Sequence, residues 1–355
     1  LIMNAPLYDL IEPSREFFAK RRLIIAGTVF DERILKLAAD TQKTDIIVDN
    51  YNTAGRLAAM TGNSFTHDAE QSFSYKHLSV HFCSVERALE KISEADCLLV
   101  LIDKSKSQNL KALRLLSTKL CKGALIFTAG ANDEGGRSAD TLLKEFGSPR
   151  KMGIKRKCTL FGVEFEHEGS PYSPLPPIEY TVKGTQMQLL QDEAVFSKGR
   201  IDEGSAMLLD ALSKAHIKAK EALDLGCGCG VIGIYLQKLG VERVLSTDVS
   251  ATALQLTQKN AALNGISLQT SCANMLQDLG SFDLIAVNPP FHQGSSVERQ
   301  AALNMIREAP DHLNEGGFMM LVGNSFLGYE EPLKQSFENV KCMQKTTRFC
   351  VYKAW

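Results

Sequence analysis

The segment Asn288-Pro289-Pro290-Phe291 holds the residue types most suited to chemistry in this 355-residue chain. It follows an apolar run, residues 283–287, that predicts a buried parallel strand. The first proline bars the α region for Asn288, and neither proline can donate a ladder hydrogen bond, so the chain must turn rigidly there. The Asn288 oxygen, the Pro289 carbonyl and the Phe291 ring would then face a ligand at the carboxyl end of the strand. These groups suit an exocyclic amino group on a planar base, although a plain strand-ending turn also fits the pattern.

A second motif, residues 224–230 (Asp-Leu-Gly-Cys-Gly-Cys-Gly), lies between a predicted strand and a predicted helix. Glycines there permit a tight turn and a close approach of a ligand to the backbone, and the helix aims free N–H groups at that ligand. Residues 228–233 also match the dinucleotide fingerprint G-x-G-x-x-G, with Asp248 about twenty residues on as the ribose acid. An NAD-dependent oxidoreductase is therefore an alternative at this point.

Two features favour S-adenosylmethionine as the cofactor. At the top of its strand, Asp224 would repel a pyrophosphate, whereas it can pair with a methionine ammonium directly or through water. The Asn-Pro-Pro-Phe turn has a clear role in methyl transfer and none in hydride transfer. Asp248 would then accept hydrogen bonds from both ribose hydroxyls. Asn274 would meet the adenine edge, with a simple turn residue as the alternative.

Residues 195–205 (Val-Phe-Ser-Lys-Gly-Arg-Ile-Asp-Glu-Gly-Ser) precede a predicted helix at 206–212. Asp202, followed by Gly204-Ser205, is typical of a turn that caps the start of a helix. The functional interpretation of this segment is a lid over the methionine end of the cofactor. The simpler interpretation is a capped helix without a further role.

Composition indicates a globular protein of two domains. Hydrophobic residues make up 44% of the chain and charged residues 23%, and the length allows two proper cores. No apolar run approaches bilayer length, the first ten residues lack a signal-peptide pattern, and nine scattered cysteines are typical of reduced thiols, so we expect a cytoplasmic protein without a metal site. A net charge of −1 argues against coating nucleic acid by bulk charge. The basic cluster at 150–157 is either a solvated connector or an RNA contact.

Strand-like and helix-like segments alternate in the second half, which implies a doubly wound parallel sheet. Predicted strands lie at 221–225, 243–247, 283–287 and 318–322, and predicted helices at 231–239, 251–263 and 301–313. The first half weakly repeats this order, with strands at 23–26, 45–48, 96–102 and 123–129 and a helix at 110–120. Leu101-Ile102-Asp103-Lys104 stands where Asn-Pro-Pro-Phe would be expected.

We therefore predict an α/β chain of two tandem Rossmann-like domains that arose by duplication. Residues 1–168 would form a degenerate copy that supports the fold and docks RNA, and residues 169–355 would form the catalytic, cofactor-binding copy. The boundary lies near the proline-rich stretch 171–177, because such a stretch cannot pair as a central strand.

The chain combines an eroded copy with an intact copy that contains Asp-Leu-Gly-Cys-Gly-x-Gly-Val-Ile-Gly and Asn-Pro-Pro-Phe-His. This combination resembles the ribosomal RNA small-subunit methyltransferase C group. Further matches are Val-Phe-Ser at 195–197, Asp202-x-Gly204-Ser205, and Gly-Gly-Arg-Ser-Ala at 135–139. The resemblance spans nearly the whole chain. It implies the class I S-adenosylmethionine-dependent methyltransferase fold and methylation of the exocyclic N2 of one guanine in 16S ribosomal RNA.

The resemblance also implies a set of site residues. Cofactor contacts are expected from Asp202, Asp224, Gly226, Cys227, Gly228, Asp248, Val249, Asn274 and Asn288, and catalytic roles from Asn288, Pro289, Pro290 and Phe291. Asn288 and Pro289 would accept the two N2 hydrogens, Phe291 would stack on the flipped base, and His292 would contact phosphate or base or face solvent. The expected partner is 16S RNA or the 30S subunit, bound by a monomer.

Alternatives to this function remain at the level of the sequence. Close relatives of that group with the same tandem plan act on guanine in 23S RNA. Adenine-N6 DNA enzymes and glutamine-amide enzymes share the Asn-Pro-Pro motif, although the glutamine enzymes usually carry tyrosine where Phe291 stands. A non-catalytic RNA-binding or ribosome-assembly protein is a further alternative, which the intact glycine loop argues against.

Overall fold

The structure is a computed structural model, and it describes residues 5–27, 32–195, 199–289 and 296–355. The chain divides into two compact units. One holds residues 1–66 and 70–174, and the other holds residues 67–69 and 175–355. The division falls inside the proline-rich stretch, a few residues after the boundary expected at 168/169.

The first unit is built on an eight-stranded sheet. Its strands are β1 (Arg22–Gly27), β2 (Lys43–Val48), β3 (Gln71–Tyr75), β4 (Leu78–Phe82), β5 (Ala95–Leu101), β6 (Leu120–Ala131), β7 (Arg150–Lys155) and β8 (Cys158–Glu164). Its helices are α1 (Ala5–Ile11), α2 (Ile34–Leu37), α3 (Tyr51–Thr61), α4 (Val85–Ala88), α5 (Lys106–Ser117) and α6 (Asp140–Leu143). The strand order is β3-β4-β2-β1-β5-β6-β8-β7.

The second unit is built on a seven-stranded sheet and a separate hairpin. Its strands are β9 (Ile178–Val182), β10 (Thr185–Leu189), β11 (Glu221–Leu225), β12 (Arg243–Asp248), β13 (Gln269–Cys272), β14 (Phe282–Val287), β15 (Leu313–Asn324), β16 (Val340–Lys345) and β17 (Phe349–Ala354). Its helices are α7 (Glu203–Lys214), α8 (Val231–Lys238), α9 (Ala251–Leu263), α10 (Ser296–Glu308) and α11 (Glu330–Ser336). The strand order is β13-β12-β11-β14-β15-β17-β16, with β9 and β10 paired apart from it.

The two sheets follow the same plan. In each, five neighbouring strands run parallel and two antiparallel strands close one edge. The first sheet adds only the antiparallel strand β3 at its other edge. The prediction of an α/β chain with two tandem Rossmann-like domains is therefore confirmed.

Side chains of the central strands alternate between two cores, one on each face of the second sheet, as period-two burial requires. On β14, Leu284 and Ala286 join the core formed with α7 and α8. Ile285 and Val287 join the core formed with α10 and α11. Burial on both faces explains why β14 is a continuous apolar run, and it fixes the register that brings residue 288 to the rim.

The end of one predicted helix was wrong, and the structure excludes one of the two interpretations of the basic cluster. The helix predicted at 301–313 ends at Glu308, and Leu313 already begins β15, whose Gly316 takes φ +74°. Gly316-Gly317 lies inside this strand, beside a register shift between Phe282 and Leu284 of β14. The basic cluster at 150–157 is not a connector, because it forms the edge strand β7 and the turn into β8.

The described part of the chain offers neither a membrane-spanning segment nor a metal cluster. None of its helices combines the length and the apolar character that a bilayer crossing requires. No group of three or more His, Cys, Asp or Glu residues is arranged there to hold a metal ion. The nine cysteines are free thiols.

Candidate active site

The glycine loop and the Asn-Pro-Pro turn follow neighbouring strands at the same edge of the second sheet. β11 and β14 are parallel and paired, with Leu225 opposite Val287. Gly226 and Asn288 are therefore the first residues beyond the two strand ends, and adjacent strands lie about 4.8 Å apart. The order of the sheet reverses between these two strands, which is where open α/β sheets bind ligands.

Asn288 is held by two contacts from the start of α7. Its Nδ2 donates to Asp202 Oδ1 over 3.1 Å and to Ser205 Oγ over 2.8 Å. A carboxylate only accepts hydrogen bonds, so the amide nitrogen must face Asp202. The other end of the amide, Asn288 Oδ1, is buried and has no hydrogen-bond partner. The side chain thus presents a fixed, unused acceptor.

Asp202 has two roles in this arrangement. It is the N-cap residue of α7, where its Oδ1 accepts from the backbone N–H of Ser205 over 3.0 Å. The same oxygen receives the Asn288 amide. Gly204 makes the approach possible, because a Cβ built there would lie 3.1 Å from Asp202 Oδ1 and 3.2 Å from Asn288 Oδ1. The predicted helix start is therefore joined to the predicted catalytic turn.

The glycine loop turns through left-handed backbone conformations at three positions. Gly226, Gly228 and Gly230 have φ of +74°, +55° and +82°, which residues with a Cβ rarely adopt. A Cβ on Gly226 would meet nothing within 4 Å, so the backbone there faces open space. A Cβ on Gly230 would lie 2.8 Å from Thr257, so the third glycine is required by packing against α9.

Cys227 builds the loop rather than facing a ligand. Its N–H donates to Thr247 O, and its carbonyl accepts from Gly230 N. Thr257 Oγ1 donates to its thiol over 3.2 Å, and burial raises the pKa of this thiol well above its usual range. The cofactor contact expected from Cys227 is therefore limited to its backbone.

Asp224 is completely buried beneath the loop. Its Oδ2 accepts from the backbone N–H of Gly233 over 2.9 Å and from Ser246 Oγ over 3.5 Å, whereas Oδ1 is buried without a partner. Burial, with a smaller contribution from the charge of Asp248, raises the pKa of Asp224 to about 7. The carboxyl group thus holds the first turn of α8 and leaves one buried oxygen without a hydrogen-bond partner.

The residues predicted to bind ribose and adenine lie along the same edge. Asp248 ends β12, and its two carboxylate oxygens accept from the backbone N–H groups of Gly228 and Ser250, each over 3.0 Å. Val249 is partly exposed beside it. Asn274 is exposed just beyond β13, whose last residue Cys272 pairs with Asp248. The structure thus brings these three residues to one side of the glycine loop.

Some predicted site residues lie outside the described residues. Pro289 is described and buried, whereas Pro290, Phe291 and His292 are not described. Residues 196–198 of the expected lid are also outside. Its start, Val195, is described, and a Cβ on Gly228 would lie 3.6 Å from it. Val195 packs in one small apolar cluster with Cys229 of the glycine loop.

Sequence reasoning missed the roles of Ser205 and Gly233. Ser205 was assigned only to a helix start, yet its hydroxyl accepts a hydrogen bond from the Asn288 amide. A Cβ on Gly233 would lie 2.5 Å from Ser246 Oγ and 3.0 Å from Asp224 Oδ2, so this glycine lets α8 pack on the sheet. Gly233 is the last glycine of the fingerprint, which is the signal that could have identified it.

The site residues fit S-adenosylmethionine. Open space above Gly226 admits a ligand to the backbone. When ionised, the buried carboxyl group of Asp224 would favour an ammonium group held above the loop, and the partly exposed Asp248 would provide acceptors for ribose hydroxyls. The unpartnered Oδ1 of Asn288 lies across the strand end, where it can accept from an amino group. The arrangement therefore accommodates both a charged amino-acid end and a second, hydrogen-donating group.

The equivalent positions in the first unit are apolar. Strands β6 and β15 each have twelve residues, with glycines at matching places (Gly123 and Gly130; Gly316 and Gly323). When β6 is aligned with β15 by these glycines, the strand pairing extends the alignment to the neighbouring strands. Ile25 then corresponds to Asp224, Val48 to Asp248 and Leu101 to Asn288. The first unit thus lacks the three polar side chains that define the site.

Comparison with known proteins gives the same two-part division. The family model described as "Methyltransferase small domain N-terminal" matches residues 9–173, and the one described as "Methyltransferase small domain" matches residues 186–353. These matches favour methyl transfer over the oxidoreductase that the glycine pattern left open.

Curated relatives cover almost the whole chain. The ribosomal RNA small subunit methyltransferase C of Escherichia fergusonii is 33% identical over 351 residues, which are 98% of this chain and 96% of the relative. The protein of the same name from Vibrio vulnificus is 28% identical over 96% of this chain and 95% of its own length.

A solved structure shares the fold. The 16S rRNA N2 methyltransferase of T. thermophilus, in complex with AdoMet and guanosine, matches 99% of this chain and 92% of its own length, with a TM-score of 0.79 and 19% identity.

Proposed function

The chain belongs to the ribosomal RNA small subunit methyltransferase C family, and on this premise we propose that it methylates the exocyclic N2 of one guanine in 16S ribosomal RNA. The observation that carries the proposal is the Asn288 amide, whose nitrogen is held by Asp202 and Ser205 and whose oxygen is an unused acceptor. An acceptor at this place suits the N–H of an aromatic amine.

The guanine N2 lone pair is delocalised into the ring, so the amine is a weak nucleophile. Asn288 Oδ1 and the Pro289 carbonyl would accept the two N2 hydrogens and so turn the lone pair toward the methyl group. These acceptors also favour the positive charge that forms on nitrogen in the transition state. The carboxylate beside Asn288, that of Asp202, already accepts from the Asn288 amide and from the N–H of Ser205, and the cation formed at N2 by methyl transfer is acidic enough to lose its proton to water.

The predicted cofactor-binding residues would hold the methyl donor. S-adenosylmethionine, when bound, supplies a methyl group on a sulfonium ion. Asp224 would favour the ammonium end through its free oxygen, and Asp248 would turn from the Gly228 amide to the ribose hydroxyls. The part-buried Asp202–Asn288 contact keeps both halves of the site in register because it links α7 to the end of β14.

We assign residues 1–168 and 169–355 to different tasks. The second region carries the cofactor site and the chemistry. The first region, in which Ile25, Val48 and Leu101 replace the polar site residues, would support the fold and dock RNA. Its exposed edge strand β7 carries Arg150, Lys151 and Lys155, a charge pattern that suits a phosphate backbone.

We further propose that the enzyme is cytoplasmic and acts as a monomer on 16S RNA or the 30S subunit. It is tested by transfer of labelled methyl from S-adenosylmethionine to 16S RNA, 23S RNA and both ribosomal subunits, followed by nucleoside analysis. N2-methylguanosine from 16S RNA or the 30S subunit is expected. Label found only in 23S RNA, or in a protein, would overturn the assignment of the substrate.

A further inference from the structure

We propose that Phe326 is a stacking platform for a nucleobase adjacent to the target guanine, so that this enzyme holds its RNA at a second position beside the reacting base. This inference rests on the proposed function, because it names how the same site recognises its RNA. It concerns a residue that neither the glycine loop nor the Asn-Pro-Pro turn includes.

Phe326 is unusually exposed for an aromatic side chain. Its relative exposure is 77%, and the next most exposed large hydrophobic residue in the described part of the chain is Ile154 at 58%. A single exposed apolar residue needs no explanation by itself. Its position and its rigid support are what indicate a function here.

Phe326 lies at the catalytic edge of the sheet. β15 is paired with β14, and Val287 stands opposite Leu321, so Asn288 is at the level of Val322. Phe326 is four residues further along the chain, which spans about 14 Å at most. This distance is within reach of the nucleotides that flank a base flipped into the site.

The turn that carries Phe326 is anchored on both sides. Ser325 donates through its N–H to Arg348 O over 2.8 Å and through its hydroxyl to Thr346 O over 3.3 Å. Tyr329 is buried beneath the turn, and its ring packs so closely on Gly323 that a Cβ there would clash with it. The aromatic ring is therefore held outward by a packed turn rather than exposed by fraying.

A cation stands beside this turn. Arg348 carries a largely exposed guanidinium, whose Nη1 lies 2.6 Å from Glu203 Oε2. Exposed ion pairs contribute little to stability, so Arg348 can exchange Glu203 for a phosphate at small cost. Lys345, the last residue of β16, is also exposed and directly precedes Thr346. An outward aromatic ring with neighbouring cations is the combination that binds single-stranded RNA.

The same features argue against a protein partner. A stable protein interface needs a broad surface with an apolar centre. The residues that hold the neighbouring Ser325 at this edge, Arg348 and Thr346, are polar and exposed. One ring bordered by charge suits the face of one base and the phosphate next to it.

The test compares five proteins: the wild type, Phe326→Ala, Phe326→Leu, Phe326→Trp and Trp355→Ala. Trp355 is the matched control. It is an aromatic residue of 44% exposure that directly follows β17, at the end of the strands opposite to Phe326. The substrate is a 16S RNA that the wild type methylates, with 2-aminopurine placed in turn at the positions on either side of the target guanine. Steady-state kinetics, RNA binding, cofactor binding and Tm are measured for each.

Phe326→Ala is expected to raise the RNA Kd and KM roughly 5- to 150-fold, which corresponds to the loss of one stacked base. Its kcat, its cofactor Kd and its Tm stay near the wild-type values. Phe326→Trp retains the affinity, and Trp355→Ala leaves it unchanged. In the wild type, binding quenches 2-aminopurine at one flanking position, and Phe326→Ala removes this quenching.

The proposal is overturned if Phe326→Ala keeps the wild-type RNA KM, or if its Tm falls and its cofactor affinity weakens together with RNA binding. An equal rescue by Phe326→Leu also overturns it, because a leucine has no flat face to stack. A wild type that methylates no RNA would instead contradict the proposed function.

Discussion

The side-chain nitrogen of Asn288 lies 3.1 Å from Asp202 Oδ1, and this contact joins the end of β14 to the N-cap of α7. The two residues are far apart in sequence, yet each fixes the other. Asp202 orients the amide, and the amide shares the oxygen that caps the helix. The free Oδ1 of Asn288 is the consequence, and the first two predictions depend on it.

Asn288→Ala is expected to lower kcat at least 100-fold while the S-adenosylmethionine Kd changes by only a few fold. The variant loses an oriented acceptor that acts on the developing positive charge, and single groups of this kind are worth about 10²–10³ in kcat. Single-turnover methyl transfer and calorimetric cofactor titration measure the two quantities. A variant that methylates RNA at the wild-type rate would show that another group holds the amine.

Asp202→Ser and Asp202→Ala separate the two roles of Asp202. Serine caps a helix as well as aspartate does, so Asp202→Ser should keep stability, whereas Asp202→Ala should lose about 1 kcal/mol. Both variants should lower kcat, because neither holds the amide nitrogen of Asn288 as a carboxylate does. Denaturant unfolding and kinetics are compared for the pair. Full activity in Asp202→Ser would mean that Ser205 alone orients the amide.

Asp224 predicts a pH dependence of stability. Burial raises its pKa from 3.8 to about 7 in the folded protein. The contribution of this group to the free energy of unfolding is therefore fully present below pH 3.8 and is lost as the pH rises through 7. Asp224→Asn stays neutral throughout. The free energy of unfolding of the variant relative to the wild type should therefore increase between pH 4 and pH 7, by on the order of 4 kcal/mol.

Denaturant unfolding at several pH values checks this expectation. The same carboxyl group should bind the cofactor ammonium best when ionised, so the cofactor affinity of the wild type should increase above pH 7. Asp224→Asn should bind cofactor weakly, with an affinity that does not depend on pH in this range. A parallel pH profile in wild type and variant would remove Asp224 from both roles.

Each chain is expected to bind one S-adenosylmethionine. Val48 stands in the first unit where Asp248 stands in the second, so only the second site has a ribose acceptor. Asp248→Ala should weaken binding roughly 10- to 150-fold, as for loss of hydrogen bonds to a charged group, and Val48→Ala should leave it unchanged. Calorimetric titration gives both the stoichiometry and the affinity. Two equivalents bound per chain would contradict the assignment.

Gly230→Ala is expected to destabilise the second unit and to abolish cofactor binding. Its Cβ would meet Thr257 at 2.8 Å in addition to the strain of φ +82°. Gly240→Ala is the matched control, because Gly240 has φ +98° but open space around it. The control should lose only about 1–2 kcal/mol, the cost of the left-handed backbone alone. Equal losses in the two variants, measured by denaturant unfolding, would show that the contact with Thr257 relaxes.

The sequence by itself determined the fold class and the two motifs of the site. The apolar runs of β11 and β14 predicted buried strands, and glycine and proline then specified the turns that end them. These signals are local, since a period of two and the backbone limits of Gly and Pro act within a few residues. The end of the helix predicted at 301–313 was wrong, because a pair such as Gly316-Gly317 is equally compatible with a helix end and with an irregularity inside a strand.

Only the tertiary structure decided which polar groups meet. Neither motif contains the information that α7 begins beside β14, so the contact of Asn288 with Asp202 and Ser205 depends on the order of the strands. The burial of Asp224 likewise results from the packing of Gly233 and Ser246 around it. The side-chain contacts that orient an amide or raise the pKa of a carboxyl group are made by residues distant in sequence, and the assembled sheet is what brings them together.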